Sequence, residues 1–99
     1  MPSGHSVRPV KWQRVLDLYD DGEYSAIWGS YDGNPERSLG VRWNGDDNQG
    51  YPNQGSNPLW FVEPEFTTKM ILLELCSRVN SDSKLGNMKN VLVALNESQ

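Results

Sequence analysis

The sequence predicts an α+β fold. It should have an antiparallel meander sheet of three or four strands, followed by two C-terminal helices packed on one face. Three observations carry this prediction. Residues 38–44, Ser-Leu-Gly-Val-Arg-Trp-Asn, alternate with the period of a strand. Turn-forming clusters, Asp-Asp-Gly-Glu at 20–23 and Asp-Gly-Asn-Pro at 32–35, separate β-favouring runs. After Pro64 the apolar period lengthens to that of a helix.

Residues 1–9 show no hydrophobic period and read as a loose arm, leaving 10–97 as a single domain. In the first element, Trp12, Arg14, Leu16 and Leu18 alternate with Gln13, Val15, Asp17 and Tyr19, the pattern of a strand. A short helix over 9–20 is the competing reading. The Asp-Asp-Gly-Glu hairpin leads to a second strand that ends at Tyr31, where Asp-Gly and Asn-Pro break the chain. The third strand places Leu39, Val41 and Trp43 on one face and Gly40, Arg42 and Asn44 on the other. The fourth, Pro-Leu-Trp-Phe-Val-Glu-Pro from residue 58, is apolar on both faces, which suits a strand covered on each side.

Thr67 is placed to cap the first helix, with Phe66 and Ile71 as a hydrophobic staple. Met70, Ile71, Leu72, Leu73, Leu75, Cys76 and Val79 wrap most of its circumference, so it must be buried on more than one side. Leu85, Met88, Val91, Leu92 and Leu95 continue at helical spacing as a shorter second helix.

Ninety-nine residues make one domain, and four Trp and four Tyr compensate for a hydrophobic content of only 36%. One cysteine, Cys76, cannot form an internal disulfide and reads as a buried thiol. The start lacks the apolar core of a secretion signal, and no stretch approaches the roughly 20 apolar residues of a membrane span. A cytoplasmic protein without a membrane partner is expected. The net charge of −4 is uneven: residues 15–65 hold ten acids against Arg37 and Arg42. An acidic centre disfavours a phosphate backbone, so no nucleic acid is expected, whereas a basic protein could be met there.

Signs of catalysis are sparse. His5, the only histidine, lies in the arm, and Cys76 has no histidine beside it. No zinc pattern, phosphate loop or complete calcium loop occurs, so neither metal nor cofactor is expected. Asp46 and Asp47, or Glu63 and Glu65, could form a carboxylate pair for sugar hydrolysis, but no spacing sets two of them across a cleft.

The stretch between Trp43 and Trp60 is the strongest candidate for function. Its sixteen residues exceed most connections in a compact domain, and they are rich in amides that both donate and accept hydrogen bonds. Tyr51 stands near the middle, and Pro52 and Pro58 stiffen the backbone. The expected binding set is Arg42, Trp43, Asn44, Asp46, Asp47, Tyr51, Asn57 and Trp60, facing a small polar ligand or a protein. An ordered loop whose tryptophans merely cap the core is the alternative. Arg42 reads as a charged contact or as a partner of Asp46 or Asp47.

Leu39, Gly40, Arg42, Trp43 and Asn44, followed by Trp60, Phe61, Val62 and Pro64, form a run that resembles small bacterial proteins of mobile genetic elements, including integron gene-cassette products. The resemblance covers roughly residues 38–65. It implies a small stand-alone α+β protein, often dimeric, and supplies no catalytic residue. A mobile-element setting also admits an inhibitor or immunity-type role, in which residues 17–36 neutralise a basic target.

The first helix generates an expectation of assembly. One sheet face and one short helix leave part of Met70, Leu73 or Val79 uncovered, and the fourth strand raises the same difficulty. A two-fold homodimer would cover them. An N-terminal segment folded over the open face would make a monomer sufficient.

Overall fold

The structure, a computed structural model, describes residues 12–44, the pairing of 53–54 with 57–58, and residues 60–98. Strands β1 (Trp12–Asp20), β2 (Tyr24–Tyr31) and β3 (Arg37–Trp43) form an antiparallel meander. Strands β4 (Asn53–Gln54) and β5 (Asn57–Pro58) pair with each other as a separate ribbon. Strand β6 (Phe61–Val62) adds to β3, giving the sheet order β1-β2-β3-β6. Helices α1 (Glu65–Ser81) and α2 (Met88–Glu97) follow, joined through a 3-10 turn at Ser83–Leu85. This is the expected α+β architecture, and residues 12–20 are strand rather than helix.

The turns follow local chemistry. Asp32 and Gly33 both have positive φ, 53° and 79°, and the Asn34 amide donates to the Tyr31 carbonyl at 3.1 Å. Positive φ at both central positions is the turn form that Asp-Gly favours, and here it opens a five-residue connection, 32–36, between β2 and β3.

Strand β1 departs from simple alternation. Gln13 faces Ser30 and Leu16 faces Trp28, so three residues of β1 span two of β2. A second extra residue lies between Asp17, opposite Ile27, and Tyr19, opposite Ala26. Each bulge reverses the side on which the following residues point. Trp12 and Val15 therefore pack with Ile27, Trp60 and Tyr31 on one face. Leu16, Leu18 and Tyr19 join the core on the other. The single apolar face expected from Trp12 to Leu18 is thus divided between both sides. Arg14 sits inside the first bulge with φ 53°, and its guanidinium is tied to Ser30 Oγ and the Pro35 carbonyl.

The principal core lies between sheet and helices. Leu18, Tyr19, Ala26, Trp28, Leu39 and Val41 meet Leu72, Leu75, Val79, Val91 and Ala94, all buried. The α1 contributors, with Thr68, recur at i, i+4, i+7 and i+11, one face of a helix. Each fully buried Leu or Val stabilises the fold by about 1.5–3 kcal/mol. The opposite sheet face carries a thinner layer in which the Trp12 ring lies across Gly40. A Cβ added at Gly40 would stand 2.8 Å from that indole, so glycine makes the close approach possible.

Four expectations are corrected. The apolar run at 58–63 is not a covered central strand: Phe61 and Val62 pair with β3 at the sheet edge, and both side chains are exposed. Pro58 and Pro64 bound this segment, and at Pro64 the chain turns into α1, so no further strand covers it among the described residues. The cap is also misplaced, because α1 begins at Glu65, behind Pro64, and the Thr67 and Thr68 hydroxyls donate back to the Pro64 carbonyl. Phe66 is 82% exposed, so no staple forms. Val79 is buried, leaving Met70 and Leu73 as the uncovered residues of the expected three.

Helix α2 starts at Asn87, whose side-chain oxygen accepts from the Asn90 amide. It is fastened to the outer side of β1 by three contacts: Asn87 N–H to the Leu18 carbonyl, Asn90 Nδ2 to the Asp17 carbonyl, and a bridge between Tyr19 and Gly86. Gly86 is so close that a Cβ there would fall 2.1 Å from the Leu18 carbonyl oxygen. Backbone cannot yield as a side-chain tip can. Gly86→Ala should therefore cost about 2–3 kcal/mol in urea denaturation, while Lys84→Ala, at an exposed position, leaves the midpoint unchanged.

Candidate functional site

One end of the sheet gathers a set of polar and aromatic groups. The β1–β2 turn is built around Asp21. One carboxylate oxygen accepts from the Glu23 and Tyr24 amides at 2.9 and 2.8 Å, and the other from the Tyr19 hydroxyl at 3.0 Å. The Asp20 side chain takes the Gly22 amide, where φ of 95° favours glycine. Burial alone would raise the Asp21 carboxyl, but these donors hold it below the usual range.

Asn44 joins this turn to the root of the 44–58 loop. Its backbone amide donates to the Glu23 carbonyl at 2.7 Å, and its Nδ2 donates to Asp20 at 3.0 Å. Its side-chain oxygen accepts from Ser25 Oγ at 2.8 Å. Asn44 and Ser25 are fully buried, so losing either partner would strand a polar group away from water.

Trp43, the residue before, projects differently. Its ring meets Tyr24, its cross-strand partner, edge to face at 4.8 Å and 65°, yet 54% of the residue is exposed. Together with Tyr19, Ile71 and Leu75 these rings line a hollow of about 440 Å³. Asp21, Glu23, Glu74 and Arg78, all exposed, ring its mouth. Arg78 donates from Nε to Glu74 at 2.9 Å and from Nη1 to the Tyr19 hydroxyl at 3.4 Å. Burial, with the Glu63 carboxylate adding to it, pushes the Tyr24 hydroxyl up to about 12.

The other residues singled out from the sequence lie elsewhere. Arg42 has no exposed surface, and its guanidinium carbon stands 6.0 Å from the centre of the Trp60 ring, which is itself buried. Burial lowers the Arg42 pKa from its ordinary value. Arg42, Asn44 and Trp60 are thus interior groups at the two ends of the loop, and among the described members of the set Trp43 is the exposed one. Asn57 is described only through its pairing with Gln54. Asp46, Asp47 and Tyr51 lie outside the described residues. Tyr19, Tyr24 and the α1 residues of the hollow carried no sequence signal, because three separate elements supply them.

A second cleft, of about 560 Å³, opens at the opposite end, where Arg14, Arg37, Glu63 and Glu97 approach one another. Two of its charges, Arg37 and Glu97, hold α2 on the sheet. Arg37 pairs with Glu97 through two bonds, at 2.9 and 2.7 Å, and the Trp28 indole donates to the same carboxylate at 2.7 Å. These donors keep the Glu97 carboxyl below its ordinary value. Among the described residues no three His, Cys, Asp or Glu side chains converge as metal ligands would. No described helix is long and apolar enough to cross a membrane.

Comparison with known protein families, with characterised proteins and with solved structures returned no match.

The Tyr24 hydroxyl gives this region an alkaline signature. The unfolded tyrosine loses its proton near pH 10 and the folded one near about 12, so the folded state binds the extra proton between those values. Its stabilising contribution is complete below about pH 10 and is lost as pH rises through the folded value. Urea denaturation at rising alkaline pH should show falling stability, with a shallower fall in Tyr24→Phe. An equally steep fall in that variant would contradict the assignment.

Proposed function

We propose that this chain is a non-catalytic binding module whose recognition surface is the sheet end formed by the acidic β1–β2 turn, Trp43 and the loop that starts at Asn44. The observation that carries this reading is the Asn44 junction. By bonding to Asp20, Glu23 and Ser25, it makes the acidic turn and the loop root one surface rather than two. Trp43, half exposed on a tyrosine beside several carboxylates, is the kind of aromatic anchor around which binding energy concentrates. Negative charge at the turn favours a basic protein partner, in keeping with an inhibitor or immunity-type role. The resemblance of residues 38–65 to integron cassette products supports a stand-alone protein of this sort. The sequence that follows Asn44 is rich in amides, groups that both donate and accept hydrogen bonds and so suit a polar ligand.

Capture of the partner on immobilised protein should succeed at low salt and fail at high salt, because exposed charges are screened. Trp43→Ala and Tyr51→Ala should each weaken capture by about 1–3 kcal/mol without unfolding the domain. Capture that ignores both substitutions and salt would remove this surface from the binding site.

Assembly belongs to the same proposal. Phe66, Met70 and Leu73 recur at i, i+4 and i+7 on the side of α1 opposite its buried face, and Phe66 and Met70 are 82% and 73% exposed. Such a stripe repeated on a two-fold partner buries roughly 1,000 Å² in total, the lower bound of a specific interface. A homodimer through α1 should scatter light as twice the 11.2 kDa chain mass at micromolar concentration, and Met70→Glu should halve that value. A single-chain mass for the unsubstituted protein ends the dimer.

A further inference from the structure

We infer that the hollow between Tyr24, Trp43 and α1 receives an organic cation, the ammonium or guanidinium end of a lysine or arginine side chain presented by a basic protein partner. The inference rests on the binding reading above and names its contact chemistry.

Three features of the hollow converge on a cation. The Tyr24 and Trp43 rings meet at 65° with centroids 4.8 Å apart, so they form two walls of an aromatic corner. Ring faces carry the negative part of the aromatic quadrupole and attract a positive group placed against them. Trp43 keeps more than half its surface open although it packs on Tyr24, leaving ring area for a ligand.

The charge around the mouth has the matching sign. Asp21, Glu23 and Glu74 stand there against one guanidinium, that of Arg78. Arg78 does not fill the corner itself. Its Nε is engaged by Glu74, its Nη1 reaches the Tyr19 hydroxyl at 3.4 Å, and no ring contact of Arg78 occurs among the described residues.

The floor suits the stem behind a charged tip. Ile71 and Leu75 offer apolar surface to its methylenes, and Lys and Arg characteristically bury that stem while the head stays near solvent and carboxylates. An inorganic cation would gain nothing from such a floor. A neutral apolar side chain would leave the net negative charge around the mouth unmatched. The combination therefore selects a long side chain with a positive end.

Titration by NMR tests this, following the Trp43 indole N–H. The probes are the N-acetyl methylamides of lysine and arginine, with the norleucine analogue as the neutral control and choline as a free small cation. Both cationic amides should give saturable shifts confined to Trp43, Tyr24 and Ile71, weakened by salt, with norleucine at least tenfold weaker. Trp43→Ala should abolish binding and Glu23→Gln should weaken it about fivefold. Arg78→Gln, which removes the competing charge, should tighten it.

Norleucine binding as well as lysine would overturn the inference, since the hollow would then be merely apolar. Choline binding tenfold tighter than either amide would also overturn it, by replacing the side chain with a free small cation. If the amides leave Trp43 unmoved while partner capture still depends on Trp43 and salt, the cation inference falls and the binding reading stands. If the amides bind but capture ignores Trp43→Ala, the site stands and that reading falls.

Discussion

Between Gln13 and Leu16 the first strand carries one residue more than its neighbour, and this turns Trp12 and Leu16 to opposite faces of the sheet. Both helices cover one face of the sheet, so the other face must be closed by large side chains. Trp12 does this with Ile27, Val15, Tyr31 and Trp60, over a sheet surface kept low by Gly40. Without the bulge, the parity of a strand would send Trp12 to the helix side, where Leu18, Trp28 and Leu72 already fill the space. The Arg14 backbone adopts a conformation costing of order 1 kcal/mol for a non-glycine residue. Its guanidinium bonds to Ser30 and Pro35 offset that cost.

The second bulge connects this constraint to the candidate site. Because Asp17 and Tyr19 together span only Ile27 and Ala26, Leu18 and Tyr19 both enter the helix-side core. Tyr19 thereby reaches Asp21 on one side and Arg78 on the other, and its ring becomes part of the hollow beneath Trp43. The irregularities of one strand thus distribute the core over two faces and also place an aromatic ring beside the acidic turn. The buried Asn44 network completes the arrangement by tying Asn44, where the next loop begins, to that turn.

Much of the fold was legible in the sequence, for identifiable reasons. Asp-Asp-Gly-Glu and Asp-Gly-Asn-Pro have strong intrinsic turn chemistry, and Leu39 and Val41 alternate cleanly because β3 is regular. The bulges were not legible, since Gln13-Arg14-Val15 contains no glycine or asparagine to announce a positive φ. Phe61 and Val62 misled because a short apolar run reads alike whether it is central or at an edge. In the site, Trp43 stood out through its place beside an unusual loop. Tyr19, Tyr24 and α1 did not, because a hollow made by four elements depends on register and packing that no local pattern records.

The most direct test of this account is a nuclear Overhauser measurement on the indole of Trp12. The divided core predicts cross-peaks from its ring protons to the Gly40 α-protons and to Ile27, with Leu16 and Leu18 methyls instead meeting Trp28 and the α1 leucines. Cross-peaks joining the Trp12 ring to Leu18, Leu72 or Leu75 would contradict it, because they would put the whole of β1 in one regular alternation facing the helices.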